Sequence, residues 1–285
     1  MFLTLTKEGV DIMSTKFSKA ILMSGDNVSL SPHITLKHPT IGNVLALPNP
    51  LRPDDIYMIY MQIILSDPYA NMVMLDDMGK NYLDVSPYDV FVLQWDKCTE
   101  DYETNKSLYA SIGKTPLDNI REALNFFIDG NHVFEKGSYD DGESCFFDVN
   151  NKNCQINREI FDYIYEWVIA INKIDFSNRI NPADENARRV LIEDMRDEIK
   201  KAKKRKKKKI DNSDYFGDLM SAVCFCGNGV IAPFNIKECP IYWINEAFSI
   251  KNKKNHADHI LNGIYHGTIS SKDINKKDLE WAKSN

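Results

Sequence analysis

Cys224-Phe-Cys226 and His256-Ala-Asp-His259 are the residues of this 285-residue chain whose types come nearest to a metal-binding set. Histidines at i and i+3 share one face of a helix, and two thiolates with two imidazoles suit tetrahedral zinc. The cysteines, however, stand one residue apart, closer than the usual two to four, and Leu219 to Phe225 is an apolar stretch in which a small thiol packs well. We therefore expect no metal and no other cofactor. Cys224 and Cys226 read as core thiols, and His256 and His259 as surface residues beside Lys251, Lys253 and Lys254.

Nucleophilic and phosphate chemistry find no foothold in the sequence. Gly-x-Ser-x-Gly does not occur, and Ser111-Ile-Gly-Lys-Thr115 lacks the earlier glycine that lets a loop wrap phosphate. Asp76-Asp77, Asp140-Asp141 and Glu193-Asp194 are adjacent carboxylates, which a helix points to different faces. The expectation is a protein that is not an enzyme, with a zinc-dependent enzyme the least expected alternative. Six cysteines spread along the chain without a framework spacing read as reduced thiols.

The strongest charge feature is Lys200, Lys201, Lys203, Lys204, Arg205, Lys206, Lys207, Lys208 and Lys209, interrupted by Ala202. The chain carries −6 in all, so without these nine charges it stands at −15, an acidic body with one basic block. Such a block can neutralise phosphates of a nucleic acid. It can also oppose the dipole of the helix it ends, stay solvated, or tether an acidic partner. No aromatic residue is interleaved to stack on bases.

An apolar share of 43% with 11% aromatics is enough for a large core, so the chain must fold. Helical spacing recurs from Ile56 to Ile64 behind Asp54-Asp55, from Tyr69 to Met78, after Ser86-Pro87, and from Leu117 to Ile128 after Thr115-Pro116. Asn157 caps a broad apolar band from Ile160 to Ile171. Pro182 opens a long helix that runs into the lysines, and Tyr215 to Cys226 and Ile241 to Gly263 make two more. Ile34-Thr-Leu36 reads as a strand and His38 to Asn43 as a turn. His132 to Phe134 and Ser144 to Val149 read as a hairpin that Cys154-Gln-Ile156 extends. The fold class expected is mainly α with a small β component. Residues 1–30 should form a loose arm, 31–130 a helical domain, and 131–285 a hairpin plus helical domain containing 200–209.

Ile34-Thr-Leu-Lys-His-Pro-Thr-Ile-Gly42, Asp67-Pro-Tyr-Ala-Asn-Met-Val-Met-Leu-Asp-Asp-Met-Gly79 and Tyr82-Leu-Asp-Val-Ser-Pro-Tyr-Asp-Val-Phe91 carry a family likeness. So do Leu261-Asn-Gly-Ile-Tyr-His-Gly267 and Lys272-Asp-Ile-Asn-Lys-Lys-Asp-Leu-Glu-Trp281. In these stretches the chain resembles tail-assembly-chaperone-like proteins of the tail morphogenesis modules of phages and prophages of Gram-positive bacteria. That resemblance implies a non-enzymatic role in the host cytoplasm, with apolar helical faces binding a tail-tube or tape-measure protein. A virion structural component, or a nucleic-acid-binding accessory protein using the basic block, are the alternatives. Phe91, Trp95, Trp167, Tyr242 and Trp243 are the large side chains expected at a partner contact, since aromatics dominate binding energy. No stretch reaches the ~18 apolar residues of a membrane span.

Overall fold

Ser or Thr followed by Pro starts a helix well, because the hydroxyl accepts an N–H that the first turn leaves unpaired and Pro already has the helical φ. Ser86-Pro87 and Thr115-Pro116 do this in a computed structural model that describes residues 17–49, 52–140, 142–206, 215–226, 231–270 and 274–280. Each forms a capping box, in which Asp89 or Asp118 accepts the backbone N–H of the capping residue in return.

From the amino end run α1 (Lys19–Ser24), β1 (Val28–Ser31), β2 (Ile34–Leu36), α2 (Ile41–Leu45), α3 (Pro53–Leu65), α4 (Met72–Asp77), α5 (Pro87–Thr104), α6 (Lys106–Ile112) and α7 (Pro116–Phe127). Strands β3 (Phe134–Ser138), β4 (Ser144–Asp148) and β5 (Asn151–Ile156) follow, then α8 (Arg158–Asn172), α9 (Glu185–Lys206), α10 (Tyr215–Cys226) and α11 (Ile241–Tyr265). Short 3-10 turns lie at Ile236–Glu238 and Lys276–Leu279. With eleven α-helices and two small antiparallel sheets among the described residues, the fold is mainly α with a small β component.

Three local expectations change. The first hairpin strand is not His132 to Phe134: it begins at Phe134 and runs through Gly137 to Ser138. His38 to Asn43 is not a turn throughout: Thr40 and Asn43 form a reciprocal cap that winds Ile41–Leu45 into α2. Residues 17–30, which show no sustained period, form α1 and β1, and Phe17 and Leu22 are buried. Residues 1–16 of the expected arm lie outside the described residues.

The main core is aromatic and joins α5, α8 and β4. Phe91 meets Phe161 at 4.6 Å and Phe146 at 5.1 Å between ring centroids, and Trp95 meets Phe146 at 4.9 Å. Trp167 on α8 is fully buried, with Phe17 edge-on at 4.9 Å and its indole N–H donating to the Lys37 carbonyl at 2.8 Å. Burying each such ring stabilises the fold by roughly 1.5–3 kcal/mol. A smaller cluster of Met72, Leu75, Tyr82, Val90 and Ile192 seats α9 on α4 and α5.

Arg158, at the start of α8, ties these layers together. It reaches Asp89 at 2.8 Å and Glu143 at 3.0 Å and lies over the Tyr88 ring. Burial works to raise the Asp89 carboxyl, but hydrogen bonds from Arg158 and Ser86 outweigh it and bring it down to about 2. Farther along, the chain before α11 docks on α2 by backbone pairing: Ile41 N–H donates to the Cys239 carbonyl and Ile241 N–H to the Pro39 carbonyl, both at 2.9 Å. A β-carbon at Gly42 would stand 2.8 Å from the Lys237 carbonyl oxygen, so this close approach requires glycine.

Candidate functional site

The five aromatics singled out from the sequence have two different fates. Phe91, Trp95, Trp167 and Tyr242 are buried in the core, so in this fold they present no surface to a partner. Trp243 is half-buried, with its indole N–H donating to the Met23 carbonyl at 3.1 Å. Large apolar type marked these residues in the sequence, and the same property drives a ring inward wherever several elements converge.

The metal candidates do not assemble where they are described. His256 and His259 are exposed on α11, and Cys224 on α10 is half-buried, its thiol pushed up by burial. The Cys226 side chain lies outside the described residues. Among the described residues no group of three or more His, Cys, Asp or Glu is arranged to hold a metal ion.

A histidine, a carboxylate and a thiol do meet elsewhere, at a place no sequence spacing announced. His132 Nδ1 lies 3.1 Å from Asp148 Oδ2 and 3.7 Å from Cys154 Sγ, and His132 Nε2 lies 3.0 Å from the Asp129 carbonyl. Nδ1 is thus shared between the Asp148 carboxylate and the Cys154 thiol, while Nε2 is directed at the Asp129 carbonyl. A nucleophile needs a base oriented from behind by its carboxylate; here carboxylate and thiol crowd one nitrogen. Cys154 is fully buried, and burial with the Asp148 charge pushes its thiol up to about 11. Asp148 also accepts the N–H groups of Val133 and Asn150, both at 3.1 Å. Burial opposes ionisation of Asp148, but His132 and these amides hold its carboxyl below the ordinary value. The cluster fastens the segment before β3 to the end of β4 and to β5.

A second buried carboxylate, Glu246 on α11, sits between two lysines. Lys19 on α1 approaches it at 2.5 Å and Lys173, at the end of α8, bonds its other oxygen. Burial works against the charge, yet the two ammonium groups prevail and lower the Glu246 carboxyl. Three elements distant in sequence are thereby fastened at one point.

The basic block begins within the last two turns of α9. Lys200, Lys201 and Lys204 are exposed; the helical backbone continues through Lys203, Arg205 and Lys206; Lys207, Lys208 and Lys209 lie outside the described residues. Lys200 reaches back to Asp197 at 3.1 Å and Lys201 to Glu198 at 2.9 Å.

The largest apolar side chains left in water are on the C-terminal segment. Phe225 on α10 is 74% exposed, Phe234 in the turn before Ile236–Glu238 is 90% exposed, and Tyr265 at the end of α11 is 82% exposed. Among the described residues no other large apolar side chain exceeds Ile180 at 62%. No sequence signal separated these three from the aromatics that became core. Among the described residues no helix is long and apolar enough to cross a membrane.

Residues 203–284 match the model of a family described as the YomV second domain. YomV is a protein encoded by phages or prophages of Bacillus, and this segment is similar to its second domain. It begins inside the basic block and takes in α10, α11 and all three exposed aromatics, less than a third of the chain. No curated protein and no solved structure matches the chain.

Proposed function

We propose that this phage-related protein is a non-enzymatic morphogenesis factor, tail-assembly-chaperone-like, that binds a tail-tube or tape-measure protein through its C-terminal segment. One observation carries the reading: Phe225, Phe234 and Tyr265, the most exposed large apolar side chains described, all fall within the stretch that matches a phage-encoded family. Aromatic side chains supply most of the binding energy at protein interfaces, and these three are available without unfolding anything. The resemblance to tail morphogenesis proteins in residues 34–42, 67–79, 82–91 and 261–281 supports the choice of partner. The crowding of Cys154 and Asp148 on one nitrogen of His132 supports a role without covalent catalysis.

The test is an affinity pull-down from cells making the neighbouring phage proteins, in high salt with nuclease. The wild type should recover a tail-tube or tape-measure protein. The triple variant Phe225→Ala, Phe234→Ala, Tyr265→Ala should lose at least ten-fold of it with an unchanged thermal melt. Recovery of no tail protein by the wild type, or equal recovery by the variant, overturns the reading. Finding the protein in purified virions would replace the chaperone role by a structural one.

A further inference from the structure

The basic end of α9 has no part in that reading. Ile192 is the helix's one buried side chain among those described, and it pins α9 into the small core with Met72, Leu75, Tyr82 and Val90. One turn later Arg196 pairs with Asp76 at 3.1 Å and Asp77 at 2.8 Å, so the nearest acids of α4 are already taken. Beyond Arg196 no described side chain of α9 is buried, and Lys204 has no ion-pair partner among the described residues. The helix persists to Lys206 because Ala, Lys and Arg are good helix formers and positive charge at a carboxyl end opposes the dipole.

Two attractions compete for these lysines, that of the acidic body and that of an external polyanion. At 1.5 Å per residue, Lys200 stands about 12 Å and Lys206 about 21 Å along the helix beyond Ile192. Charges in solvent are screened over about 8 Å at physiological salt, so the body's negative charge is weak at the tip. Its own carboxylates Asp197 and Glu198 reach Lys200 and Lys201, the first two cations of the block. From Lys203 to Lys206 every residue is basic and no acid intervenes.

We infer that the basic end of α9 binds the phosphate backbone of double-stranded DNA without reading its sequence. A duplex offers about one charge per 1.7 Å of its axis, a density that a helix with a cation at nearly every 1.5 Å step can match. The absence of interleaved aromatics disfavours single strands, whose bases need a stacking platform. No step of this inference depends on the tail-protein reading, and its test contains no tail protein.

The experiment titrates the full chain against a labelled duplex of mixed sequence, followed by fluorescence anisotropy. Affinity should fall by about 10²–10³-fold between about 50 and 200 mM salt if about five phosphates are neutralised. The variant Lys203→Gln, Lys204→Gln, Arg205→Gln, Lys206→Gln should bind at least ten-fold more weakly at low salt, with a flatter salt dependence. Glutamine keeps the helix, and far-ultraviolet circular dichroism checks that it does. No binding of duplex by the wild type at low salt, equal binding by the variant, or preference for single strands or an acidic protein overturns the inference. The salt titration of the wild type stands as a test even if the variant misfolds.

Discussion

Phenylalanine plays opposite parts in the two halves of this molecule. Around α5, α8 and β4, Phe91, Phe146 and Phe161 are wholly buried against one another and against Trp95. On the C-terminal segment Phe225 and Phe234 stand 74% and 90% in water. The side chain is the same; what differs is how many elements converge on it. Two helices and a sheet close over the first group, whereas the second occupies a helix end and a turn. The charges follow suit, since Arg158, Asp89 and Glu143 lock the first region together while Lys204 extends unpaired among the described residues. The first region should therefore hold the protein's stability and the second its capacity to bind.

The sharpest way to break that contrast is to empty the centre of the first region. Trp167→Ala should lower unfolding stability by about 3–5 kcal/mol, read from the urea midpoint. A loss under about 1 kcal/mol would mean the aromatic core is not what sustains the fold. Next in size, Glu246→Gln should cost about 1–2 kcal/mol at neutral pH, because its two lysines are partly exposed and water softens their loss. Glu246 titrates below its ordinary 4.5, so its contribution is complete above that pH and disappears as pH falls through the lowered folded-state value. Wild type and variant should accordingly converge in stability in acid, and a gap that persists there would show that packing, not charge, fastens α1 to α11. Ser86→Ala removes one helix cap and should cost about 1 kcal/mol. Phe234→Ala should change stability by no more than about 0.5 kcal/mol, and a larger loss would place Phe234 among the core residues.

Much of the helical framework was legible because its starts are chemically explicit. Ser86-Pro87, Thr115-Pro116 and Asn157 each open a helix at the residue expected, and the glycine- and aspartate-rich stretch near residue 140 separates β3 from β4. Residues 17–30 were not legible, because Phe17 and Leu22 are buried by contacts with Trp167 and other distant residues, not by any period of their own. The same cause hid the exposure of Phe225 and Phe234, since an aromatic in a string of letters carries no sign of whether another element will cover it. His132, Asp148 and Cys154 meet only because antiparallel pairing brings the segment before β3, the end of β4 and the middle of β5 together. The lysine block was visible as charge at the end of a long helix, but that Ile192 pins this helix to α4 and α5 was not.

The Lys19–Glu246 contact sets a timetable for synthesis. Its partners are 227 residues apart, and Lys37 waits on Trp167 across 130. At about 5–20 residues per second, roughly 11–45 s pass between translation of Lys19 and of Glu246. For that interval α1 and its neighbouring strands have been made but lack the helix that clamps them, and their apolar faces are open to other nascent chains. Errors in assembly of this protein should therefore begin at its amino end, well before the segment we assign to binding has left the ribosome.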